Sequence, residues 1–461
     1  MKGQITLEIL ISLFILVASI SAAVMVSFGN QSTTVDTQLS NQALYIARQE
    51  METARGVSRQ DFNSIAPSSS TEGIYLKEIL VENIDAYTKK VTSRVSWKTE
   101  VLRPQKIELT TLLTNAKSVV AYGGDTGGVG LSGDWKNPRT LGSVDLGAGI
   151  SATDLDVLNK IIYLSGDASD SKKKDFFIVN ATDGVNPFIA SSLNVGLGLN
   201  TLDVAGSYVY AGSKDVDAQL QIIDVNDKNN PILKTSYKLP GVSGTGAVGQ
   251  SIFFFDSKIY IGTKKAGGPE FHIIDVSNPL NPISLGSREF DSDVNAIYVS
   301  GDIVYVATSA DNKELSILNV ANPANIILLG GYDAPGNTED GKSVALVGSK
   351  LYLGRTMGGN NTNYHELHIL DVSDSASLQN LGSKDLTVDL NDSRIRGNLA
   401  FLATSDSNKE FQIWDISNPN NISLYAFFNF SQIGTGIDYE DNIVYVSVRS
   451  NDALRIITST P

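Results

Sequence analysis

The chain has 461 residues, 42% of them apolar, and carries 36 Lys and Arg against 50 Asp and Glu, a net charge of −14. It contains no cysteine, which excludes disulfides, thiolate nucleophiles and cysteine-held metal clusters. The length exceeds one ordinary compact domain. The charge is uneven, with 12 basic and 11 acidic residues in the first 118 and 24 against 39 in the rest, so the acidic part should repel nucleic acid and anionic lipid and serves chiefly solubility.

The chain opens with Met1, Lys2 and Gly3, and residues 4–28 are then almost wholly apolar. A helix rising ~1.5 Å per residue crosses a bilayer in about 20 such residues. The one charge in the stretch is Glu8. A carboxylate in lipid costs on the order of 2.5–3.5 kcal/mol, so it asks for a partner.

This stretch resembles the N-terminus of type IV pilins and pseudopilins. The resemblance implies a leader, 1–3, removed by prepilin peptidase between Gly3 and Gln4, and an apolar helix with its glutamate at the fifth mature position, here Glu8. Gln4 departs from the aromatic first residue that the family prefers. A glutamine there also occurs, notably among archaeal members. The alternatives are a plain membrane anchor and a secretory signal cleaved near Ser19 to Ala23. An acid inside the apolar core of a signal peptide is unusual.

After Phe28 the chain is helix-compatible to about Arg55, with no proline and no glycine past Gly29. Val35, Leu39, Ala43, Ile46 and Met51 form one stripe, and Gly56 is a plausible C-cap. A loop around Pro67 follows, then strand-like runs at 74–84, 87–97 and 107–113, the second with strict alternation around Val91, Ser93, Val95 and Trp97. A helix followed by a small antiparallel sheet is similar to a minor pilin head. The divisions expected are a helix over 4–56, with 4–28 in the membrane or filament core, a β head over 57–118 and a Gly-rich linker over 119–136.

Beyond the linker the sequence repeats. Glu270-Phe-His-Ile-Ile-Asp-Val-Ser-Asn-Pro279 recurs as Glu410-Phe-Gln-Ile-Trp-Asp-Ile-Ser-Asn-Pro419, Glu314-Leu-Ser-Ile-Leu-Asn-Val-Ala-Asn-Pro323 and Glu366-Leu-His-Ile-Leu-Asp-Val-Ser373. Weaker copies end at Asn180, Asp224 and Thr458, which makes seven in all. The residue closing each copy falls at 180, 224, 275, 319, 371, 415 and 458. A second strand such as Ile259-Tyr-Ile-Gly262 precedes each. Short strands at a period near 45 indicate four-stranded propeller blades. The Asp-Val-Ser-Asn-Pro phrase predicts a turn, because Asp and Asn side chains bond nearby backbone N–H groups and proline stops the strand. These copies resemble the LVIVD repeat family, whose members look like β-propellers. The last copy lacks an outer strand. The opening phrase Asn137-Pro-Arg-Thr-Leu-Gly-Ser143 matches the outer-strand phrase Asn281-Pro-Ile-Ser-Leu-Gly-Ser287. Strand 137–146 is therefore expected to complete the last blade of a propeller over 137–461, leaving no unpaired edge.

Little points to catalysis. Three histidines are present, and His272 and His368 share a repeat position that also holds Phe177, Gln221, Ser316, Gln412 and Arg455. So permissive a position reads as a strand surface. His365 and His368 lack the i, i+4 spacing of a zinc helix. Asp167, Asp170 and Asp175 are weak calcium candidates in a loop of oxygen donors. Sequons at Asn180, Asn360, Asn391, Asn421 and Asn429 matter if the host glycosylates surface proteins.

The expectation is thus a multidomain chain, with a long N-terminal α-helix and small antiparallel β head of α+β, pilin-like type, then an all-β seven-bladed propeller. No catalytic residue, metal or cofactor is assigned. The function expected is that of a minor pilin or pseudopilin-like subunit, held in the cytoplasmic membrane and then in an extracellular filament. It would display the propeller for adhesion or ligand binding, with other pilin subunits, prepilin peptidase, the membrane and an extracellular ligand as partners. The alternatives are a pseudopilin of a type II-like secretion system gripping cargo, and a surface propeller enzyme acting on polysaccharide.

Overall fold

A computed structural model describes residues 37–57, 62–83, 88–98, 104–114, 134–168, 170–336, 338–359 and 363–460. The chain divides into two compact units, Met1–Val119 and Val120–Pro461.

In the first unit, helix α1 covers 37–57. Ala43, Ile46, Ala47, Met51 and Ala54 recur on it at spacings of three and four, and all are buried. That stripe packs on an antiparallel sheet of β1 (Ser68–Glu72), β2 (Tyr75–Asn83), β3 (Thr88–Lys98) and β4 (Pro104–Thr114), hydrogen-bonded in that order. One cluster joins Ala43, Ile46 and Ala47 to Tyr75, Val95 and Trp97. A second joins Met51 and Ala54 to Ile79, Val91 and Leu113. The alternation read in β3 is realised, with Val91, Ser93, Val95 and Trp97 buried on the helix side. On the far side Arg94 pairs with Glu108 at 2.6 Å.

The described residues correct the expected fold class. They are nearly all β, with one α-helix of 21 residues at 37–57, and they show no long N-terminal helix carrying a pilin-like head. A lack of proline and glycine permits a helix; burial of an apolar stripe is what fixes one, and the stripe that is packed here runs from Ala43 to Ala54. Gly3, Gln4, Glu8 and the apolar stretch 4–28 lie outside the described residues. Among the described residues no helix is long and apolar enough to cross a membrane.

Among the described residues the second unit holds seven four-stranded antiparallel sheets. Six are continuous in sequence, at 150–193, 199–237, 249–288, 294–332, 341–384 and 390–428. The seventh takes strands from 434–440, 443–448 and 452–460 and adds β5 (Asp134–Asp145) as its outermost strand. β5 thus begins at Asp134, ahead of the expected 137, because Trp135 belongs to it and is buried. First strands of neighbouring sheets lie against one another in a closed circuit, the seventh touching the first. The sheets therefore stand around a common centre, in a propeller-like arrangement.

In six of the sheets the third strand is buried almost from end to end, even where its second residue is Gln221, His272, Ser316, His368 or Gln412. Phe176–Asn180, Leu220–Asp224, Phe271–Asp275, Leu315–Asn319, Leu367–Asp371 and Phe411–Asp415 are buried at every residue but the last. A sheet covered on both faces buries its strands in this way. The closing Asp or Asn turns the chain as expected: Asp275 Oδ1 accepts the Ser277 N–H at 2.8 Å, and Asp415 Oδ1 accepts that of Ser417 at 2.9 Å.

Candidate functional site

In six repeats the polar residue that opens the third strand, an acid in all but one, has a structural task. Asp175, Gln219, Glu270, Glu314, Glu366 and Glu410 are buried. Their side-chain oxygens accept the backbone N–H of Val195, Leu239, Phe290, Ala334, Leu386 and Phe430, at 2.6 to 3.0 Å. The span is twenty residues each time. It joins the head of the third strand to the segment leaving the fourth. Burial raises the pKa of the carboxyls among them, and the amide bonds pull it back down.

The centre of the ring is built from two layers of side chains on the first strands. In the outer layer Thr153, Asn200, Asn295, Asn391 and Thr435 each donate to a carbonyl of the next sheet's first strand. The acceptors are Leu199, Gly249, Gly341, Gly434 and Ala152, at 2.8 to 3.2 Å. The second layer holds Asp154, Asp156, Asp203, Asp392, Arg394 and Asp438. Here the carboxylates accept instead, from Leu202, Val204, Phe254, Ile437 and Val157, again on the next sheet. A first strand is a sheet edge, and its inward N–H and C=O groups need partners. These side chains supply them and sew one sheet to the next.

Arg394 sits among the acids. Its Nε donates to Asp438 Oδ1 at 3.2 Å and its Nη1 to Asp392 Oδ1 at 3.3 Å. Burial opposes its charge, but Asp392, Asp438, Asp154 and Asp156 outweigh that and raise its pKa further. Burial pushes Asp154 up to about 7, with the charge of Asp392 adding to it. Burial also lifts Asp203 to about 6, against the amide of Phe254 and a hydrogen bond with Asp156. Asp156 is driven well above the carboxylate range by burial and then by Asp203 and Asp438. The ring is lopsided. Phe253, Tyr298 and Ala345 hold the strand positions that Asp156, Asp203, Arg394 and Asp438 hold elsewhere. Phe253 and Tyr298 have ring centroids 5.1 Å apart. One side of the centre is rich in aspartates, and the other holds Phe253 and Tyr298. Sequence reading passed over these aspartates; five of them at one strand position or two residues before it was the signal.

A second buried cluster lies between the fourth and fifth sheets. Arg355 stands where neighbouring repeats have Thr263, Thr308 and Thr404. It is fully buried and donates to Glu314 Oε1 at 3.0 Å and to the carbonyls of Pro335 and His365 at 3.1 and 3.3 Å; Glu339 lies 3.5 Å away. A Cβ on Gly358 would meet Glu339 Oε1 at 1.7 Å, so a side chain there would push Glu339 out of the cluster. The cluster ties down the longer loop that stretches the repeat from Asn319 to Asp371.

The calcium candidates are not brought together. Asp175 is committed to the Val195 and Gly198 amides, Asp167 pairs with Lys214 at 2.6 Å, and Asp170 accepts the Lys172 N–H. Among the described residues no group of three or more acids or histidines is placed to hold a metal. His272 and His368 are not on a strand surface; both are buried, because neighbouring sheets cover both faces of the strands that carry them. Burial pushes them down to about 4 and about 3, so both are neutral at pH 7. Of the sequons, Asn421 and Asn429 are exposed, Asn180 is half-buried, Asn391 spends its amide on Ser405 and Gly434, and Asn360 lies outside the described residues.

The LVIVD repeat family matches residues 200–238, 259–288, 292–334 and 391–429. No curated protein matches the chain. Among solved structures, a chain of a mitotic checkpoint complex is 14% identical with a TM-score of 0.52, over 70% of this chain and 93% of that one. The WD40 β-propeller domain of Doa1 is 12% identical with a TM-score of 0.49, over 70% and 97%. At such identity the likeness concerns fold alone. The family match falls wholly within the second unit, so the pilin resemblance of the N-terminus has no counterpart in it. By its matched segments and its ring of four-stranded sheets, the chain carries LVIVD repeats on a β-propeller-like fold.

Proposed function

We propose that the protein is a minor subunit of a type IV pilin-like filament that presents an LVIVD β-propeller outside the cell for adhesion or ligand capture. One observation carries the reading: residues 4–28 hold a single charge, Glu8, five residues past Gly3. A lone carboxylate in an apolar stretch, at that register, suits a partner supplied by a neighbouring subunit, the amine freed by cleavage before Gln4. The size of the propeller supports sparse display. About 325 residues fold to a radius of gyration of roughly 20 Å, which is bulky for every subunit of a tightly wound filament. Glu8→Ala should lower incorporation into filaments while leaving the propeller folded; normal incorporation sinks the reading. The enzyme alternative would draw on Asp154, Asp156 and Asp203. Each already accepts a backbone amide, so binding is the better assignment.

A further inference from the structure

The chain enters the propeller at one point, and that point is pinned. Trp135, the second residue of β5, is fully buried. Its Nε1–H donates to Asn442 Oδ1 at 2.9 Å. Its ring lies edge-on to Phe401 of the sixth sheet at 5.0 Å and tilts over Tyr439 of the seventh at 6.2 Å. Beside it, Asp134 accepts the Tyr425 hydroxyl of the sixth sheet at 3.2 Å. Asn442 in turn donates to Ser459 Oγ at 3.1 Å, on the last strand.

The ladder around Trp135 is thin. β5 pairs antiparallel with the last strand (Asp452–Thr460), Asp134 opposite Thr460 and Asp145 opposite Asp452. Between the pairs Asp134–Thr460 and Arg139–Thr458, residues 135–138 face Ser459 alone. Backbone bonds are scarce at the very end where a pull from the preceding chain arrives. A strand peeled from its end breaks its bonds one after another, so whatever sits first sets the threshold.

The geometry points to Trp135 as the latch of the ring, the side chain that must leave its pocket before β5 can peel from the seventh sheet. This holds whether or not the filament reading does. If the propeller is a tethered adhesive, the latch is what keeps it closed under tension.

The test uses the full chain and its Trp135→Ala and Trp135→Phe variants. Amide hydrogen exchange across β5 is compared with that in the second to fifth sheets. Trp135→Ala should speed exchange in β5 by roughly a hundredfold with the other sheets unchanged, since local opening has its own free energy. Trp135→Phe, which keeps an apolar ring and loses the bond to Asn442, should fall between. Should Trp135→Ala fail to fold, the Phe variant decides alone. Because the protein lacks cysteine, Asp302→Cys in an exposed turn gives a unique handle for pulling against the N-terminal side. The first rupture should free about 40 Å of chain, twelve residues at up to ~3.6 Å each, at lower force in either variant. Unchanged exchange and unchanged rupture force, or equal acceleration in every sheet, would overturn the latch.

Discussion

The carboxylate of Glu366 accepts the backbone N–H of Leu386 at 2.6 Å and that of Thr387 at 3.2 Å, twenty and twenty-one residues further along the chain. The first of these bonds has a counterpart in five other sheets, at the same span. Glu366→Ala would leave a fully buried amide without an acceptor. An unsatisfied buried group costs about 1–3 kcal/mol, so denaturant melts should show a loss of that order. Glu366→Gln keeps the oxygen and should lose much less. Equal losses in the two variants would mean that the charge, not the acceptor, matters.

The centre of the ring should make stability fall as pH rises. Asp154 and Asp203 are pushed up to about 7 and about 6 in the fold, against about 3.9 in an unfolded chain. Between about pH 4 and 7 the folded state therefore holds protons that the unfolded state has released, and stability drops through that window as pH increases. His272 and His368, held neutral by burial, act the other way below about 6.5. The difference between wild type and Asp203→Asn isolates the carboxyl. Asn keeps an acceptor for Phe254 and cannot titrate, so its slope should be less negative by up to about 1.4 kcal/mol per pH unit between pH 4 and 6. Parallel slopes would refute the assignment.

Arg394 gives a second test of the same centre. Its removal leaves Asp392 and Asp438 without the guanidinium they share. The pair is half-buried, with the Arg394 side chain 28% and that of Asp392 23% exposed, so the loss should stay below the about 3–5 kcal/mol of a fully buried pair. The loss in Arg394→Met should be largest near pH 8, where Asp154 is charged and adds its attraction to the guanidinium, and shrink toward pH 5 as Asp154 takes up its proton. A pH-independent loss would indicate packing instead.

The repeat made the strands and turns legible in the sequence. Phe271–Asp275 reads as a strand because Phe271, Ile273 and Ile274 recur with the repeat, and Asp275 reads as a turn because a short acceptor reaches the Ser277 amide. Pairing of the opening segment with the last strand was legible from the shared Leu-Gly-Ser phrase, though Trp135 lay outside it. Of the expected helix the described residues hold 37–57, where an apolar stripe packs on the sheet; absence of breakers alone says nothing about what a segment packs against. His272 and His368 were misplaced for a related reason. Tolerance of many residue types suggested exposure, whereas Phe177, Gln221, Ser316 and Gln412 at that position are all buried with their own partners or neighbours. The aspartates of the centre were invisible because they meet only when distant sheets close: Asp438 and Val157 lie 281 residues apart in sequence.

The same closure decides which asparagines can carry a glycan. Asn391 Nδ2 donates to Ser405 Oγ at 3.0 Å and to the Gly434 carbonyl at 2.8 Å. Attaching a sugar to that nitrogen would remove a proton from it and force the side chain out of the seam between the sixth and seventh sheets. Asn421 and Asn429 are exposed, and Asn429 follows the outer strand of the sixth sheet. Expressed in a host that glycosylates surface proteins, the chain should be modified at Asn421 or Asn429 and unmodified at Asn391. Site mapping by mass spectrometry reads this directly. A glycan on Asn391 of folded protein would mean that the seam opens in the native state.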